Sequence, residues 1–139
     1  MTEASADKLA ETIDKIEASY EFMLAYAAQG RDREATSAGD GLSIRDFLAD
    51  MEGSLQNINS ALGERIESLN VQSGAFQALD AFKNKLGEDA DAALLAVQLV
   101  QSVPSISSQL IDNLNASVHL RCLLTDIFVM DEALKIHQQ

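Results

Sequence analysis

Residues 43–69 read SIRDFLADMEGSLQNINSALGERIESL, and they set Ile44, Leu48, Met51, Leu55, Ile58, Leu62, Ile66 and Leu69 at spacings of 4, 3, 4, 3, 4, 4 and 3. This is the 3.6-residue rhythm of an α-helix with one apolar stripe, close to coiled-coil register. Ser43 and Asp46, three residues apart, form a capping-box-like start. Gly53 and Gly63 fall inside the stretch. Each costs about 1 kcal/mol relative to alanine, so they read as tolerated surface positions, or as points of close helix approach or bending.

The same rhythm extends to both sides. Upstream, Leu9, Ile13, Ile16, Tyr20, Met23 and Ala27 form one stripe, with Thr2 or Ser5 as a cap and Gly30 as a left-handed terminator. This predicts a first helix over about residues 3–29. Gly30 to Gly41 is polar and glycine-rich, a loop longer than most helix–helix connections and therefore mobile or functional. Downstream, Asn70 to Gly74 interrupts the pattern, and Phe76, Leu79, Phe82 and Leu86 lead to Gly87. Asp89 can cap a fresh start before Ala93, Leu94, Val97, Val100 and Val103, so a third helix over about 74–103 is expected to break or kink near Gly87. Pro104 ends it and opens a last helix. The expected fold is all-α: an antiparallel four-helix bundle, up-down-up-down, forming a single domain over residues 1–139.

The last helix carries more apolar surface than one stripe needs. Between Val118 and Met130 only His119, Arg121, Thr125 and Asp126 are polar. A helix apolar nearly all round is buried on several sides. This predicts a homodimer, with self-association through Leu120, Leu124, Phe128 and Met130.

Charge excludes several functions. Twenty-two acidic against ten basic residues give a net charge of −12, unsuited to a nucleic acid groove. An anionic membrane surface is equally disfavoured. Residues 1–52 alone hold twelve acidic and five basic groups. The functional reading of that concentration is an acidic face, Glu3, Asp7, Glu11 and Asp14, for a basic protein partner or a mimic of nucleic acid charge. The plainer reading is solubility. No secretory leader is visible at the start, the longest apolar run (Ala92 to Val97) is far below a membrane span, and Cys122 is the only cysteine. A cytoplasmic setting is expected.

Catalytic and cofactor chemistry finds little support. A di-metal carboxylate bundle needs Glu-x-x-His twice, and neither His119 nor His137 has a glutamate three residues before it. Glu17 and Glu21, one turn apart, form at most a carboxylate patch. Haem would need His119 with Met23, Met51 or Met130, methionines better read as core. Phosphotransfer bundles place Lys and Gly shortly after their histidine, whereas Leu120-Arg121-Cys122 follow His119. Cys122 lies one turn from His119, but its leucine neighbours predict a buried, inert thiol. No phosphate-cradling glycine loop is present. No cofactor and no metal are expected.

The leading expectation is a non-enzymatic interaction module, an adaptor or regulatory bundle, that docks a basic partner on its acidic first helix while the Gly30–Gly41 loop adapts. The alternative is a small-ligand sensor or carrier, with an apolar pocket near Gly53, Gly63 and Gly87 lined by Met and Phe.

Overall fold

The computed structural model describes residues 2–35 and 43–139. All regular structure among them is helical: α1 (Thr2–Ala28), α2 (Ile44–Leu69), α3 (Ser73–Gln101), α4 (Ser108–Ala116) and α5 (Val118–Gln138). None of these helices is long and apolar enough to cross a membrane.

Local chemistry fixes the helix ends. The Ser43 hydroxyl accepts from the Asp46 N–H, and the Asp46 carboxylate accepts from the Ser43 N–H at 2.8 Å, completing the capping box. Asn70 adopts a left-handed conformation (φ 53°) and stops α2, as Gly30 (φ 66°) follows the end of α1. Of the Gly30–Gly41 loop, residues 36–41 lie outside the described residues.

Contacts between helices set their directions. Lys8 near the start of α1 meets Glu64 near the end of α2 at 2.7 Å, and Phe22 near the end of α1 stacks on Phe47 at the start of α2. Asn59 of α2 donates to the Lys83 carbonyl of α3, and Arg45 at the start of α2 reaches the Gln101 carbonyl at the end of α3. α1 and α2 therefore run oppositely, as do α2 and α3. α4 packs beside α1, with Asn115 Nδ2 on the Met23 carbonyl, and α5 packs chiefly on α3. The predicted stripes meet in one core, where Ile16, Met23, Leu48, Met51, Ile58 and Leu86 are fully enclosed. Burying each such side chain stabilises the fold by about 1.5–3 kcal/mol.

Three expectations are corrected. α3 runs through Gly87 without a break, and Asp89 sits inside the helix rather than capping a new one. The glycine is needed for approach: a Cβ there would lie 2.5 Å from Asn59 Nδ2.

The last helix is two helices. Residues 102–107 stay outside it because polar groups claim their backbone. Arg45 takes the Gln101 and Val103 carbonyls, Glu34 accepts the Ile106 N–H, and the Tyr26 hydroxyl donates to the Ile106 carbonyl at 2.6 Å. Ser107 then caps α4. A second break falls at Ser117, whose hydroxyl accepts from the His119 N–H. Continued from Leu114, the α4 stripe would turn Val118 inward; the break resets the phase, leaving Val118 62% exposed and Leu120 fully buried.

That reset also corrects the proposed self-association set. Leu120, Leu124 and Met130 lie in the core of their own chain, and of the four only Phe128 is exposed. One face of α5 absorbs most of its leucines, so the excess apolar surface is smaller than the sequence suggests. What remains on that helix is Val118, Phe128, Val129 and Ile136.

Candidate functional site

α1 carries six carboxylates and two lysines, and folding separates them. Lys8, Glu11 and Lys15, spaced 3 and 4 apart, line a groove toward α2 with Ala49, Asp50 and Asn57. Lys8 is held by Glu64 and Lys15 lies 3.6 Å from Glu11. Glu11 is exposed but belongs to this lysine-bearing side.

The other stripe is Glu3, Asp7, Asp14, Glu17 and Glu21, at spacings of 4, 7, 3 and 4. Glu3, Asp7, Asp14 and Glu21 are exposed and Glu17 is half-buried. Among the described residues none of the five takes part in an ion pair within 4.0 Å. Of the four residues expected to form the acidic face, the structure places three on this stripe, and Glu17 and Glu21 extend it. Reading the charges for helical period, as the apolar residues were read, finds the same set in the sequence.

The extended end of the stripe borders a groove between α1 and α5. Glu17, Tyr20 and Glu21 form one wall and Arg121, Leu124, Thr125 and Phe128 the other, around a space of about 400 Å³. Leu124 is 7% exposed and Phe128 56%. Thr125 donates its hydroxyl to the Arg121 carbonyl, so it is already engaged. Farther along α5, Lys135 is paired with Asp131 at 2.9 Å, and that partner, with lesser help from Glu132 and Glu17, raises its pKa.

A second electrostatic feature joins α3 to α5. Asp126 and Asp89 act on each other across this contact, and Asp126 Oδ2 is buried with no hydrogen-bond partner. Burial first, then Asp89 beside it, pushes the Asp126 carboxyl up to about 7. Asp89, beside Asp126 and 3.2 Å from Lys85, is held below the usual carboxylate range.

The remaining candidates are dispersed. His119 is exposed, with its charge acting on Asp89. Cys122 is exposed, contrary to the expected burial, because its leucine neighbours turn inward while it faces out. Met23, Met51 and Met130 are buried core side chains. Among the described residues no group of three His, Cys, Asp or Glu is placed to hold a metal ion. The glycines do not line an apolar space: Gly87 is filled by Asn59, Gly63 lies against the Lys83 side chain, and Gly53 opens on the polar α1–α2 groove.

Comparison with protein-family models, with curated proteins and with solved structures finds no match for this chain.

Proposed function

We propose that this chain is a non-enzymatic protein-interaction module, an adaptor or regulatory bundle that docks a basic partner on the carboxylate stripe of α1. In this reading the helices form an up-down-up-down bundle over one domain, with α4 and α5 sharing the fourth column. The observation that carries it is the segregation on α1. Both lysines turn toward α2, leaving Glu3, Asp7, Asp14, Glu17 and Glu21 on the other side without ion pairs among the described residues. Like charges three and four residues apart on a helix destabilise it by about 0.2–0.5 kcal/mol per pair. A basic partner relieves that repulsion and is drawn in faster by the field.

The test is capture from a lysate of the source cells. The wild-type chain is compared with a Glu3→Gln, Asp7→Asn, Asp14→Asn, Glu17→Gln, Glu21→Gln variant. Loss of basic proteins from the captured set supports docking on this face, whereas an unchanged set contradicts it.

A further inference from the structure

We infer that the groove between α1 and α5 seats a short amphipathic segment of the basic partner, with an apolar side chain laid across Tyr20 and Phe128 and a lysine or arginine paired with Glu17 and Glu21. This rests on the docking role of the acidic stripe and gives that stripe an anchor point.

Three observations converge on this groove. It lies where the carboxylate stripe meets exposed aromatic surface: Phe128 is 56% exposed and lines the same space as Glu17 and Glu21. Its floor is apolar, since Leu124 belongs to the core. Its charge is unbalanced, because Arg121 is the single cation among the seven lining residues and opposes two carboxylates. The groove on the other side of α1 differs in each respect. It carries Lys8 and Lys15 and has no aromatic side chain in its lining. A basic segment is therefore directed to the α5 side. An apolar contact alone would leave Glu17 and Glu21 partly desolvated without a counter-charge, an expensive arrangement. A cationic residue flanking the apolar one satisfies both walls, and its charged head can also lie against the Tyr20 ring. The segment belongs to a protein rather than a lipid surface, because anionic headgroups would be repelled by the same carboxylates.

Fluorescence anisotropy on the full chain tests this with a fluorescein-labelled fourteen-residue peptide of leucines and lysines in helical period. A second peptide has every leucine replaced by serine. The expected result is about tenfold weaker binding of the leucine peptide to Phe128→Ala, and a similar loss for Glu17→Gln with Glu21→Gln. The serine peptide should ignore Phe128→Ala. Phe128 is exposed, and a melting curve confirms that the variant is folded. If Phe128→Ala binds the leucine peptide like wild type while neutralising Glu3, Asp7 and Asp14 weakens it, the groove is overturned and the acidic stripe stands. If neutralising all five carboxylates changes nothing, both readings fall.

Discussion

Asp126 of α5 lies beside Asp89 of α3, and burial together with that neighbouring carboxylate pushes the Asp126 carboxyl up to about 7 while Asp89 is held low. Lys85 on α3 lies 3.2 Å from Asp89, and His119 on α5 also acts on Asp89. In the unfolded chain Asp126 reverts to an ordinary aspartate near 3.8, whereas in the folded chain it titrates at about 7. Between those values the folded state binds more protons than the unfolded one, so stability falls as pH rises from about 4 to about 7. Asp89 acts in the opposite sense, and its contribution is lost only as pH drops through its own lowered value. Urea unfolding is expected to show a higher midpoint at pH 5 than at pH 8. Asp126→Asn should flatten that difference, and an equally steep profile in the variant would exclude this pair as the source.

Two glycines that look alike in sequence should respond oppositely to alanine. Gly53 has nothing within 4 Å of a built Cβ, so Gly53→Ala should stabilise α2 by up to about 1 kcal/mol through helix propensity. At Gly87 the same gain meets Asn59 Nδ2 at 2.5 Å and displaces the bond from that amide to the Lys83 carbonyl. Losing it costs about 1 kcal/mol. Gly87→Ala should therefore be less stable than Gly53→Ala by about 1–2 kcal/mol, read from denaturant midpoints. Equal stabilisation at both positions would mean that α2 does not press on Gly87.

Core and surface on α5 separate by the same measurement. Leu120 is fully buried, and Leu120→Ala should cost about 2–5 kcal/mol. Phe128→Ala, at an exposed position, should stay within about 0.5 kcal/mol of wild type. A mild effect at Leu120 would restore the self-association surface read from the sequence.

Much of the fold was legible because it rests on periodicity. The stripes of α1 and α2 name the buried residues nearly one for one, and Ser43–Asp46 and Gly30 mark helix ends by chemistry local to a few residues. What escaped was set by contacts distant in sequence. Gly87 reads as a breaker until Asn59 of the neighbouring helix is placed against it. Residues 102–107 read as helix until Glu34 and Arg45 take their backbone groups. The break at Ser117 shifts the apolar phase of α5, which is why Leu120, Leu124 and Met130 were assigned to the wrong surface. At the candidate site, the α1 acids were legible as composition. Their separation from Lys8 and Lys15, and the pairing of Glu17 and Glu21 with Phe128 across a groove, required the position of α5.

Site-specific photocrosslinking reaches the central claim most directly. Ala10 is exposed on the carboxylate side of α1, between Asp7 and Asp14, and Asn84 is an exposed position on α3. With a photoreactive phenylalanine analogue at each position in the source cells, a discrete protein adduct is predicted from position 10 and not from position 84. That adduct should disappear when Glu3, Asp7, Asp14, Glu17 and Glu21 are neutralised. No adduct at position 10, or one that survives neutralisation, would contradict docking on the α1 stripe.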